Sequence, residues 1–412
     1  MNLTEQSWIQ HYQYEEGGRS ISDGCPPSPP RSKELTPLSL MSHDAADALL
    51  ETELSPDLRD IWERVLLEPT RTFLKKPGKS LRRDFVSLGW QIAWALRSRE
   101  DDQQGSHGQD LSSERFNGLS RGRRVDRPCP PCPESLVTLI ELLHTGSLII
   151  DDIEDQSETR RGQPCLHHQI GIAPALNIGN WLYFVSASLI EEISDDLSVR
   201  GELYQTLNRV MLRCHQGQAI DVSYQVPGLS RSKIRQLTEL STKLKTGVLV
   251  GFSMQLGAIY FGLSEPLKRS LYQFGERLGL GLQMYDDVSG LMNTAKWHKG
   301  CEDLSRARLT WAWAWLAESP DVSDETFREL TTALDGLTCE RARPISELLA
   351  DERWRFRACQ LRDRCLHHLS AAPNVISEMI DDALDDMIKQ LNNAQVALLA
   401  RHAIGRLRSS YL

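Results

Sequence analysis

The chain has 412 residues, 40% of them hydrophobic and 25% charged, which allows a sizeable apolar core in one large domain or two smaller ones. Its formal net charge of −9 argues against a general surface for nucleic acid or anionic membranes, so an anionic ligand would need a local cluster of cations or a bound metal. The nine cysteines are odd in number and scattered, as expected of reduced thiols; CPPC at Cys129–Cys132 has no second set of ligands and makes a poor zinc site.

Residues 1–45 are polar and rich in Ser and Pro, and a disordered tail is expected there. They hold no basic region followed by an apolar run. No apolar stretch anywhere reaches the ~20 residues that span a bilayer, so a cytoplasmic location is expected. Residues 46–412 predict one helical domain, broken at about 98–134 by a low-complexity surface insertion. Ser135 is the expected N-cap of a helix through Asp155, and Pro174 opens the next, ALNIGNWLYFVSASLIEEI. A third helix carries RVMLRCHQGQAIDV. The 231–260 segment has a helical pattern interrupted by Gly247 after Lys245 and Thr246, which predicts a kink or a functional break. A long helix over 264–292 ends in QMYDDVSGLM, and amphipathic helices follow to the C-terminus. TWAWAWL at 310–316 alternates like a strand, but its alanines and helical neighbours predict helix. With no βαβ unit and no fixed repeat, the fold class is all-α.

The chemistry centres on Asp151, Asp152 and Asp155. On a helix Asp151 and Asp155 lie one turn apart on one face, where like charges repel. They follow the apolar run LLHTGSLII, so the acids need compensation. Hard divalent cations supply it, and Mg2+ leaves room in its octahedron for phosphate oxygens. Arg160 and Arg161 follow closely, with guanidinium forks that match those oxygens, and Gly162 lets the backbone turn nearby. Carboxylates for metal beside arginines for phosphate make a diphosphate site. A second acidic pair, Asp286 and Asp287, ends the other long helix. The similar spacing of Asp381, Asp382 and Asp385 reads as solvated surface, because Ile380, Leu384 and Met387 form the inward stripe.

LLHTGSLIIDDIEDQSETRRGQPCLHHQIG resembles the first aspartate-rich motif of trans-prenyl diphosphate synthases, most of all the eukaryote-type geranylgeranyl diphosphate synthases. CHQGQAIDV, LKTG, GLQMYDDVSGL and KGCEDLSRARLT continue the likeness in the same order over roughly residues 60–320. The resemblance implies an all-α single bundle around a deep central cavity (the isoprenoid synthase fold), a homodimer, prenyl diphosphate substrates and three Mg2+ ions bound with diphosphate. It implies that Lys79, Arg82, His144 and Arg161 hold isopentenyl diphosphate. Arg160, Lys245, Thr246, Gln283, Lys299 and Arg308 would hold the allylic diphosphate, Lys299 being one residue out of register. Asp151, Asp155 and Asp286 would ligate metal, supported by Asp152 and Asp287. The implied reaction ionises an allylic diphosphate such as farnesyl diphosphate, joins it to isopentenyl diphosphate and eliminates a proton.

The sequence departs from the family pattern at Pro77, usually Gly, and at Arg83, usually Pro. Gly290 replaces the last polar residue of the second motif, and Arg308 replaces a lysine, keeping the charge but not the shape. Two other readings compete. A class I terpene cyclase would have no use for Lys79, Arg82, His144 and Arg161. A non-catalytic regulatory subunit of a prenyl synthase would be expected to lack the first motif. Small residues at Gly146 and Ser147, five and four before Asp151, imply an open wall and a product of twenty carbons or longer, since bulky aromatics there stop the resembling enzymes at fifteen.

Overall fold

The computed structural model describes residues 60–75, 81–105 and 128–411. The 1–45 tail, most of the 98–134 insertion and Lys79 lie outside the described residues. The helix expected to give way at about 98 runs on to Gly105.

The main helices are α1 (Leu81–Gly105), α2 (Glu134–Glu154), α3 (Ile172–Ser188), α4 (Leu197–Ser223), α5 (Arg231–Thr242), α6 (Val248–Tyr260) and α7 (Glu265–Met292). They are followed by α8 (Trp297–Ser305), α9 (Trp311–Glu318), α10 (Asp324–Thr338), α11 (Glu352–Leu366), α12 (Ala372–Leu391) and α13 (Ala394–Tyr411). Among the described residues none is long and apolar enough to cross a membrane.

Helix α2 carries Leu136, Leu139, Ile140 and Leu142, all fully buried. It packs on α3, while α6 is gripped between α1, α4 and α7. Gly146 and Gly179 let α2 and α3 approach closely: a Cβ added at Gly146 would stand 2.7 Å from the Gly179 carbonyl oxygen. A second apolar core joins α8 and α9 to α10 and α11. The Trp run is helical, as its alanines predict. Trp311 and Trp313 are buried, and the Trp311 indole N–H donates to Thr242 Oγ1 at 2.9 Å. Asp381, Asp382 and Asp385 are exposed on α12 while Leu384 and Met387 turn inward, as read from the sequence.

Three local expectations are corrected. The α2 helix starts at Glu134, with Pro133 rather than Ser135 as its cap; Ser135 is itself buried. Helix α3 starts at Ile172, because Gly171, at φ 93°, breaks the chain three residues before Pro174. A two-residue hairpin, β1 (Thr159–Arg160) with β2 (Gln163–Pro164), stands where only a turn was expected. Arg161 and Gly162, both at positive φ (53° and 73°), form its tip, the backbone that a two-residue hairpin loop demands. The interruption expected near Gly247 is a π-helical turn, Lys243–Gly247, between α5 and α6. Such a bulge adds a residue to the turn and re-aims its side chains.

Candidate functional site

Asp151 and Asp155 close the C-terminal end of α2. Asp151 Oδ1 accepts from Gln218 Nε2 at 2.6 Å and lies 3.3 Å from Lys245 Nζ. The π turn brings Lys245 there, and its ammonium also lies 2.7 Å from Asp221 Oδ2. Burial pushes the Asp151 carboxyl up to about 6, against the pull of Lys245. Burial alone would lower Lys245, but Asp221 and Asp151 carry it above its ordinary value, so it stays charged. Asp155 pairs with Arg308, which also reaches to 3.8 Å from Asp303 on α8. Asp286 faces Lys296 at 3.3 Å, and Lys296 donates to Ser289 Oγ at 2.7 Å. Desolvation would lower the Lys299 ammonium, but the fields of Asp303, Asp286 and Asp287 carry its pKa above the ordinary value.

The second aspartate of each pair does something else. One residue further along a helix is 100° round it. Asp152, 1% exposed, therefore turns inward and pairs with Arg160 (Nε to Oδ1 2.9 Å), pinning the hairpin to α2. Arg160 is thus engaged by Asp152 rather than presented to the cleft. Asp287 is likewise buried, accepting from the Trp311 backbone N–H at 2.9 Å and from Gln283 Nε2 at 2.7 Å. Burial pushes its carboxyl up to about 7. Gln283 Oε1 in turn accepts from Thr246 Oγ1 at 3.2 Å. Asp152 and Asp287 thus anchor neighbouring elements beside the expected metal ligands. Asp287→Ala should accordingly leave the buried Trp311 N–H without a partner and destabilise the fold by about 1–3 kcal/mol. Denaturant titration beside Asp286→Ala, which should keep its stability, checks this.

Towards the N-terminus of α2 lies a cluster in which cations outnumber acids. His144 sits two turns, or roughly 10 Å, before Asp151 on the same face. Burial, and then the charges of Arg82, Arg161 and Arg160, hold its imidazole neutral. Glu141 is raised by burial and opposed by Arg82, Arg83 and Arg161; its carboxylate also accepts from the Arg83 backbone N–H at the start of α1. Arg83, a departure from the family pattern, is fixed by Glu134 at 2.9 Å. The structure thus gathers Arg82, His144 and Arg161, with Glu141 as their counter-ion.

Beside Asp151 and Lys245 runs a cleft lined by Ser147 and Leu143 of α2, Tyr183 of α3, Met211 and His215 of α4, and Leu249 of α6. Its wall is mainly apolar, and Asp151, Gln218 and Lys245 form the polar end. Ser147 lines it as expected. Gly146 does not: one residue round the helix, it faces Gly179, and its small size serves helix packing.

Several groups went unassigned in the sequence: Gln218 and Asp221, Glu141, Lys296, Asp303 and Tyr183. A signal existed for the first two, which lie three residues apart on one face of α4 inside a motif already singled out. Gly290 also has a structural account. It lies where α7 meets α8, and a Cβ there would stand 3.6 Å from the Gly300 backbone, so an acid at 290 would point at α8.

Among the described residues no three acidic, His or Cys side chains converge as a ready metal cage. The acids instead meet lysine or arginine cations. Mg2+ is usually held by one or two carboxylates with the remaining positions on water and phosphate oxygens. The hard oxygens of Asp151, Asp155 and Asp286 fit a metal that arrives with a diphosphate.

Residues 123–335 match the family model described as Polyprenyl synthetase. Over 150 residues the chain is 30% identical to a geranylgeranyl diphosphate synthase of Methanosarcina mazei, covering 36% of this chain and 45% of that one. Over 250 residues it is 28% identical to geranylgeranyl pyrophosphate synthase atmG of Aspergillus flavus, covering 60% and 61%. The chain therefore spans about half the length of the curated relatives it matches. In fold it is similar to the geranylgeranyl pyrophosphate synthetase of Geoglobus acetivorans (TM-score 0.56, 22% identity, 89% of this chain and 97% of that one). It is also similar to the farnesyl diphosphate synthase of T. brucei (TM-score 0.61, 17% identity, 90% and 95%).

Proposed function

Because the chain belongs to the polyprenyl synthetase family, we propose that it is a Mg2+-dependent prenyltransferase that condenses an allylic diphosphate with isopentenyl diphosphate. Farnesyl diphosphate is the expected primer, and geranylgeranyl diphosphate or a longer trans-prenyl diphosphate the product. The observation that carries this reading is the pair of poles on one face of α2. Arg82, His144 and Arg161, with the single acid Glu141, form a diphosphate-type pole. Asp151 and Asp155, facing Lys245 and Arg308, form a pole suited to metal and a leaving diphosphate.

In this reading Asp151, Asp155 and Asp286 hold Mg2+, which supplies neutralisation of charge building on the departing diphosphate. Lys245 and Arg308 keep their charge throughout and donate to the same oxygens. His144, held neutral, donates one N–H to isopentenyl diphosphate while Arg82 and Arg161 carry the charge. The new bond joins the allylic carbon to the terminal alkene carbon of isopentenyl diphosphate, and the proton then lost passes to the released diphosphate. The apolar cleft shields the allylic cation from water. A terpene cyclase would leave the Arg82–His144–Arg161 pole without a task.

Incubating the purified protein with each allylic diphosphate, with and without isopentenyl diphosphate, tests the reading. Elongated prenyl diphosphates should form only when both substrates and Mg2+ are present. Hydrocarbons formed without isopentenyl diphosphate would sink it in favour of a cyclase.

The assembly we propose is a homodimer through α3 and α4. Ile172, Leu176 and Phe184 are 60%, 39% and 75% exposed along one stripe of α3, with Leu212 and Val222 exposed on α4. Solvent-facing apolar side chains in such a row mark an interface. Phe184→Glu with Leu212→Glu should give a monomer by light scattering; a wild-type monomer would overturn the assignment.

A further inference from the structure

Arg308 reaches Asp155 from a backbone fixed on both sides. Helix α8 ends with the Arg308 N–H donating to Asp303 O and the Ala307 N–H to Leu304 O, both at 3.1 Å. Ala307 is left-handed, at φ 48°, and fully buried. This helix ending usually places glycine at the left-handed position, because a Cβ there is strained. The strain is held in place: the Ala307 carbonyl accepts from the Val226 N–H at 2.9 Å, and Arg308 forms a backbone bridge with Gln225. The guanidinium is thereby delivered between Asp155 and Asp303. Its Nη2 is buried against Asp155, while Nη1 stands 3.8 Å from Asp303, beyond hydrogen-bond distance, so donor capacity remains for another oxygen anion.

The charges decide what can enter. Two half-buried acids, Asp155 and Asp303, share one guanidinium that cannot be deprotonated. Bringing a divalent cation to Asp155 with Arg308 in place would set like charges together where water screens them poorly. A diphosphate changes the balance, because its oxygens match the guanidinium fork and offer Arg308 a second partner. A lysine, a compact point charge on a flexible stem with three rotatable donors, would hold Asp155 less firmly.

We propose that Arg308 keeps Asp155 closed to a divalent cation until a diphosphate draws the guanidinium away, so that metal binding at this acid requires diphosphate. The proposal rests on the prenyl-transfer reading of the site. Calorimetry and thermal melting with Mg2+ alone, and with Mg2+ plus inorganic pyrophosphate, test it. The wild-type Tm should not move with millimolar Mg2+ alone and should rise with both. Arg308→Gln should melt lower, recover on adding Mg2+ alone, and bind Mg2+ alone at least about tenfold more tightly than wild type, since the competing cation is gone. Adding Asp155→Asn to that variant should abolish the gained site. Arg308→Lys, which keeps the buried charge and protects against misfolding, should fall between the two. Equal affinity for Mg2+ alone in wild type and both Arg308 variants would overturn the proposal, as would a gained site that survives Asp155→Asn. If wild type fails to bind Mg2+ with pyrophosphate at all, the prenyl-transfer reading fails, and the Mg2+-alone comparison still decides the role of Arg308.

Discussion

Asp151→Asn should lower turnover by about 10²-fold or more while the protein stays folded, because a metal-bound acid at the leaving group is replaced by a neutral amide. The substitution is nearly isosteric, and an Asn side-chain oxygen can still accept from Gln218 Nε2, which now sits 2.6 Å from Asp151 Oδ1. Lys245 would keep Asp221 as its partner at 2.7 Å, so no buried ammonium is stranded. Burial already presses the Asp151 carboxyl towards its neutral form, so the loss of charge relieves the free protein of a cost. A melting temperature at or above that of wild type, together with a collapse in kcat at saturating Mg2+, is the expected signature. Asp155→Asn should lose turnover similarly but destabilise the fold, since it leaves Arg308 with Asp303 alone. Near-normal turnover of either variant would remove the metal assignment at that acid.

The contrast between Asp151 and Asp152 shows how far the sequence could be read. Helical periodicity and the apolar run before residue 151 are enough to bury one face of α2 and to bring Asp151 and Asp155 onto another. Periodicity also says that Asp152 points elsewhere, but what it meets depends on the hairpin, whose turn places Arg160 inward. Nothing local to residues 151–155 encodes that partner. The same holds at Asp287, whose carboxylate accepts from the backbone N–H of Trp311, 24 residues on. Asp303 comes to the site where α8 packs on α7 at Gly300 and Gly290, an approach set by two glycines rather than by charge. Resemblance located the poles of the site, whereas long-range pairing decided which acids face the cleft.

Product length gives the second large effect, and it separates two residues that the sequence treats alike. Ser147 lines the cleft one turn below Asp151, opposite Tyr183, whose ring stands 5.7 Å from that of His215. Its hydroxyl bonds only to the His144 carbonyl of its own helix, at 2.8 Å, so replacing it strands no partner. Ser147→Phe should therefore fold and fill the wall, shifting products from twenty carbons or longer to fifteen or fewer. Gly146→Phe should instead fail to fold, since even a Cβ at 146 would lie 2.7 Å from the Gly179 carbonyl oxygen, and a phenyl ring would force α2 and α3 apart. Tyr183→Ala should act in the opposite sense to Ser147→Phe, opening the far wall and lengthening products. Chromatography of the prenyl chains after phosphatase treatment reads all three variants. An unchanged product distribution in a folded, active Ser147→Phe protein would mean that the growing chain runs along another wall, and the cleft between α2, α3 and α4 would lose its role in setting length.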